Sequence, residues 1–303
     1  MRRSKLPGIS GKSGLLGLLS AVVMIVSGCA GIPKFPEDWL PADALPPTCR
    51  VYLSLKVPGN EELVGPAVKK LSDDDLINEG IKRTEYLYLG LEGFGAKDSF
   101  YATARGSYPT TLAGMGLTFS SQWKKQRGTF PWYLHTLSSL QVSFPRPFIF
   151  CVTNGDLSPL LDSLKTGERR LAEPVRELMN TADIGIYIPR FEDQLVRLFL
   201  PEGTSLPAEK LRLRMIRQGQ GYLMDLNLDA SGEREAKALA SVLRLLLLNR
   251  AKKNTAISLK EFMKTTIVSV EGSQVGVSGV LFSVEELLAL LEKVLPTGKE
   301  ETP

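Results

Sequence analysis

Near the start of the chain, Leu15 to Val26 is apolar at every position except Gly17 and Ser20. These twelve residues are too few for a membrane-spanning helix, which needs about 20. From Cys49 onward the pattern switches between periods of two and of three to four. Arg50–Lys56 predicts a strand, and Leu63, Val64, Ala67, Val68 and Leu71 then recur at helical spacing. Leu87, Leu89 and Leu91 share one face, as do Phe100, Ala102 and Ala104, which predicts a hairpin across Gly93-Phe94-Gly95. Pro109 opens a short helix through Leu112, Met115 and Phe119 that Gly114 and Gly116 weaken. Trp132–Leu137 and Leu140–Phe144 read as a second hairpin, Phe148–Val152 as a buried strand, and Ser158-Pro159 as a helix start leading to Leu160, Leu161 and Leu164.

The second half reads much like the first. Ile184, Ile186 and Ile188 alternate, as do Leu211, Leu213 and Met215. Gln218-Gly219-Gln220-Gly221 turns the chain into Met224, Leu226 and Leu228. A long helix follows from about Gly232 to Arg250, then a hairpin joins Thr266–Val270 to Val275–Leu281. Ser283-Val284-Glu285-Glu286 has the spacing of a capping box and opens a last helix whose stripe is Val284, Leu287, Leu288, Leu291, Val294 and Leu295, closed by Pro296. Matching elements recur at similar offsets: 133 positions from Arg50 to Asp183, 132 from Tyr133 to Thr265 and 125 from Ser158 to Ser283. The expected fold class is α+β, an internal duplication of helix-backed antiparallel sheets.

The helix Gly232–Arg250 has more apolar surface than one core contact requires. Ala236, Leu239, Val242, Leu243 and Leu246 make an ordinary core stripe, and Leu245, Leu247 and Leu248 widen it. Arg234, Lys237, Ser241 and Arg244 form a narrow polar stripe, and Arg250, Lys252 and Lys253 follow. Such a helix fits burial on two sides between the halves, and it also fits a membrane interface. Trp123, beside Lys124, Lys125 and Arg127, fits either a solvated loop with one docked aromatic or a contact at headgroup depth.

Charge and composition change this picture at the N-terminus. Residues 1–28 hold Arg2, Arg3, Lys5 and Lys12 and no acid, and they account for the whole formal charge of +4. The remaining chain is neutral, with 33 basic and 33 acidic residues, which gives no electrostatic footprint for nucleic acid. A basic start, a short apolar run and a small-residue end describe a secretory signal. It ends in Val26-Ser27-Gly28-Cys29. Pro33, Pro36, Pro41, Pro46 and Pro47 make the next stretch resist helix and sheet. Residues 29–48 therefore read as a tether, with Trp39 and Leu40 able to dock on the body or on headgroups.

Catalytic and metal chemistry finds little material. His135 is the one histidine and falls in a predicted strand, with no Gly-x-Ser-x-Gly elbow beside it. Asp73, Asp74 and Asp75 do not match a calcium loop and read as acids at a helix start. The glycines at 90, 93 and 95 lie between strands, where the dinucleotide fingerprint fails on context. Neither a cofactor, a metal site nor a catalytic residue is expected. Cys49 and Cys151 are left either as a disulfide or as two buried thiols.

Val26-Ser27-Gly28-Cys29 resembles a bacterial lipobox, which implies cleavage after Gly28 and acylation of Cys29. Ala30 after the cysteine implies export to the outer membrane by the sorting rule of enteric bacteria. The lipobox, the proline-rich tether and the neutral body with amphipathic helices together resemble treponemal outer-membrane lipoproteins. That resemblance implies a periplasm-facing body pressing amphipathic helices into the inner leaflet. The expected organisation is a signal at 1–28, a lipidated tether at 29–48, α+β halves at 49–181 and 182–296, and a polar tail at 297–303. The expected function is non-enzymatic association with membrane lipids through Leu245, Leu247, Leu248, Trp123, Lys124 and Lys125. The alternative is an envelope protein that holds an apolar ligand or a protein partner between its halves. Self-association into a homo-oligomer is left open.

Overall fold

A computed structural model describes residues 39–71, 75–93, 98–191, 208–253, 262 and 264–294. The lipobox, Cys29 and the polar tail lie outside the described residues. The alternating segments form strands β1 (Val51–Lys56), β2 (Thr84–Leu91), β3 (Phe100–Gly106), β4 (Trp123–Gln126), β5 (Trp132–His135), β6 (Gln141–Arg146), β7 (Ile149–Thr153), β8 (Ile184–Ile188), β9 (Ala208–Gln218), β10 (Gly221–Ala230), β11 (Ile267–Glu271) and β12 (Gln274–Ser283). The helices are α1 (Glu61–Leu71), α2 (Asp75–Lys82), α3 (Thr110–Phe119), α4 (Ser158–Thr166), α5 (Glu173–Thr181), α6 (Glu233–Lys253) and α7 (Val284–Val294).

The class is α+β as expected, but the halves do not hold separate sheets. All twelve strands join one antiparallel sheet in the order β11-β12-β10-β9-β8-β1-β2-β3-β7-β6-β5-β4. The seam is β1 against β8, with Leu53 opposite Ile186. Outward from β1 the path is β2-β3-β7-β6, and outward from β8 it is β9-β10-β12-β11. The same path is traced twice, with α3 and α6 at the same step and the β4–β5 edge added to the first half. That repeated path is as far as the structure takes the expected duplication.

Alternation decides which side chains the sheet buries. Leu87, Leu89 and Leu91 lie opposite Ala104, Ala102 and Phe100, on the shared faces the sequence predicts. They join Val51, Leu55, Phe150, Ile184, Met215 and Tyr222 in the main core, under Leu63 and Val64 of α1. On the other face Tyr52, Tyr88, Ile149 and Cys151 meet Leu160 and Leu164 of α4 and Val175 and Met179 of α5. The first half is thus covered on both faces. The second half is covered on one, by α6 and by Leu287 of α7. Its other face is polar and forms an open groove of about 430 Å³ beside α5, lined by Arg212, Arg214, Asp225, Asn227, Ser269 and Ser278 among others.

Residues 39–48 belong to the folded body, which corrects the expected extent of the tether. Trp39 to Leu45 is buried against α4 and β3, with a 3-10 turn at Pro41–Ala44. Proline-rich chain has few internal hydrogen bonds to lose, so it can trade water for a docking groove. Here the groove supplies them: Thr103 Oγ1 donates to the Pro41 carbonyl at 2.9 Å and Tyr52 to the Pro46 carbonyl at 2.9 Å. Asp43 is fully buried and accepts from the backbone N–H groups of Leu40, Arg170 and Leu171, while Arg176 of α5 lies 3.6 Å from its Oδ2.

Cys49 and Cys151 are both free and buried. Burial, with a smaller contribution from the Glu92 charge, pushes the Cys49 thiol up to about 12, and burial alone raises Cys151. The reactive species is the thiolate. At pH 8 a thiol reagent should therefore leave the folded protein unlabelled and label both cysteines in guanidinium. Fast labelling of the native protein would contradict the burial.

Candidate functional site

Among the described residues, three of the eight exposed large hydrophobic side chains lie on α3. Leu117 is fully buried, and Gly114 lies against Tyr133, whose hydroxyl donates to the Gly114 carbonyl at 3.1 Å. The close approach at Gly114 turns the helix so that its other face points away from the sheet. That face carries Leu112, Met115 and Phe119, which are 68%, 50% and 81% exposed. Spacing of i, i+3 and i+7 normally marks a core face. Here the core-like stripe faces outward.

Two turns, one at each end of β6, expose apolar side chains as well. Leu137, in the β5–β6 turn, is 81% exposed. Its neighbour Thr136 bonds the Gln122 carbonyl through N–H and hydroxyl at 2.9 and 3.1 Å, which brings this turn beside the connection from α3 to β4. Phe148 is exposed in the β6–β7 turn, and its carbonyl accepts from Gly106, on the chain that leads into α3. Lys124 and Lys125 are exposed on β4, the last strand of the sheet.

Trp123 is not available to headgroups, which corrects its expected role. It is buried, with its ring 4.8 Å from that of His135. The sequence offers a solvated loop or a headgroup contact for this stretch. It is a strand because β5 pairs with it, Trp123 opposite His135 and Lys125 opposite Tyr133. His135 is half-exposed, with Nδ1 at 2.7 Å from the Ser138 hydroxyl and accepting the Ser138 N–H at 3.1 Å. Among the described residues no three of His, Cys, Asp and Glu gather as metal ligands.

The leucine arc of α6 divides. Ala236, Leu239 and Ala240 are buried against β10 and β12, and Leu243 and Leu247 pack on the core from its margin. Leu248 is half-buried. Leu245 alone of the three candidates is exposed, at 67%. Two-sided burial is not found: Lys237, Ser241 and Arg244 face solvent, and Arg244 donates to the Val268 carbonyl of β11 at 3.0 Å. Leu247→Glu should lower the melting temperature by several degrees, because it puts a carboxylate on the core margin. Leu245→Glu should leave it within about 1 °C, as exposed substitutions do. Equal melting of the two variants would remove the distinction drawn here.

This geometry finds parallels among known proteins. A family model described as outer membrane-associated lipoprotein TP0453 matches residues 43–269. Crystal forms I and III of TP0453 superpose with TM-scores of 0.64 and 0.63 at 20% sequence identity, each covering 84% of this chain and 98% of the other. Form IV gives 0.60 at 20% identity, covering 83% and 96%. No curated protein matches the chain.

Proposed function

From the premise that the chain belongs to the TP0453 family of outer membrane-associated lipoproteins, we propose that its body rests on the bilayer through the outward stripe of α3. Outer-membrane association follows from the family. The contact, the periplasmic orientation and the absence of catalysis are the proposal. One observation carries it: Leu112, Met115 and Phe119 repeat at helical spacing on the side of α3 that meets no core. An exposed apolar stripe of this kind, with Leu137 and Phe148 also exposed in turns of the same end of the sheet, marks a surface that another phase or partner covers.

A ten-residue helix cannot span a bilayer but can lie in its interface. No helix among the described residues is long and apolar enough to cross a membrane. Acylation of Cys29 would supply the durable anchor, and α3 would set which side of the body meets the lipid. The alternative of an apolar ligand between the halves draws less support. The groove beside α5 is lined by charged and polar side chains, and they suit such a ligand poorly.

The test is flotation of the unlipidated mature chain, with Cys29→Ser, on vesicles of mixed neutral and anionic phospholipid. It should float with the lipid. Recovery in the dense fraction at every lipid concentration would leave membrane association to the acyl chains.

A further inference from the structure

The end of the sheet that carries α3 is also cationic. Between Asp98 and Asp156 the chain contains no Asp or Glu, but it contains Arg105, Lys124, Lys125, Arg127 and Arg146. At the average density of 33 acids in 303 residues, a run of this length would hold about six. The rest of the mature chain has five more acids than bases. The acid-free run folds as β3, α3 and β4 to β7, one end of the sheet with its free edge.

Two of the five cations are committed. Arg105 lies 3.6 Å from Glu85 and over the Tyr86 ring, and Arg146 is half-buried. Lys124, Lys125 and Arg127 are exposed and form no ion pair among the described residues. They follow directly on the α3–β4 connection that Leu137 adjoins. Lysines on an edge strand also discourage pairing with other strands. That role is met on β4 itself and does not require acids to be missing from α3 and from the turns beyond it.

Resting on the membrane reading of α3, we infer that this end of the sheet recognises anionic phospholipid headgroups, with Lys124, Lys125 and Arg127 as the contacts. Apolar side chains enter the acyl boundary while cations beside them sit at headgroup depth. The missing acids remove the repulsion that an anionic surface would otherwise exert.

The experiment compares the unlipidated chain on vesicles of phosphatidylcholine alone and of phosphatidylcholine with about one third phosphatidylglycerol. Each cation near an anionic surface strengthens binding roughly fivefold. Binding should therefore be on the order of a hundredfold tighter with phosphatidylglycerol. The preference should fade at about 0.5 M salt, where screening acts within roughly 4 Å. Lys124→Gln, Lys125→Gln and Arg127→Gln together should abolish the preference and leave binding to the neutral vesicles unchanged. Equal binding of the parent chain to both vesicles would overturn the inference and leave the membrane reading standing. A preference that survives in the triple variant would also overturn it. Binding to neither would overturn both.

Discussion

Leu112→Gln with Phe119→Gln should strip the unlipidated chain from vesicles and leave its melting temperature where it was. Both side chains project from α3 away from the sheet, so the folded state has little packing to lose. Glutamine keeps the helix, since its propensity is close to that of leucine. In the bilayer the balance differs. Burying one large apolar side chain contributes about 1.5–3 kcal/mol, so the pair contributes about 3–6 kcal/mol. At about 1.4 kcal/mol per decade, partitioning should fall between roughly a hundredfold and ten-thousandfold. Leu117→Gln is the opposite case. It buries an amide at a fully enclosed position and should lower the melting temperature sharply. Flotation and melting measured on both variants separate the two faces of one helix. Undiminished flotation of the double variant would remove α3 from the contact.

The outward turn of α3 could not be read from its own spacing. A stripe at i, i+3 and i+7 is the same in sequence whether it meets a core or a bilayer. What differs is the opposite side, where Gly114 and Leu117 are all that β5 and its neighbours need. The leucines of α6 mislead in the other direction. Their number suggests a wide exposed arc, yet Leu243 and Leu247 are drawn to the core and Leu245 remains outside. A signal for the proposed contact end was present in the sequence all the same, as the run from 99 to 155 without a carboxylate.

Elements with strict alternation or a capping signature were legible in the sequence. The apolar faces of β2 and β3 are one case. The capping box is another: the Ser283 N–H meets Glu286 Oε2 at 2.9 Å and the Glu286 N–H meets Ser283 Oγ at 3.2 Å. Elements whose buried face includes a charge were not. Helix α5 buries Arg176 along with Val175, Leu178 and Met179, which breaks the apolar pattern that would have announced it. The charge is tolerable there because Asp43, more than a hundred positions earlier, is buried beside it. Residues 39–48 and α5 thus explain each other, and neither is readable alone.

That dependence gives the second large expectation. Asp43→Ala should destabilise the protein by about 3–5 kcal/mol, because the buried Arg176 would be left with the exposed Glu173, at 3.9 Å, as a counter-charge. For a chain of this size the melting temperature should fall by about 10 °C. Replacing both partners, Asp43→Leu with Arg176→Met, should recover only part of the loss. A buried pair is often exchanged for apolar side chains without penalty. Asp43, however, also accepts from the N–H groups of Leu40, Arg170 and Leu171, and these would stay unpaired. Urea unfolding of the two variants measures both steps, and a single-variant loss under about 1 kcal/mol would show that the pair is not needed. There is a consequence at the membrane. Ten residues, 29–38, separate the proposed lipidation site from the docked segment, a reach of about 30 Å when extended. If the loss of Asp43 freed residues 39–48 as well, the reach would roughly double. The lipidated variant would then hold its body less closely against the leaflet, and protease access to the α3 surface on vesicles should rise.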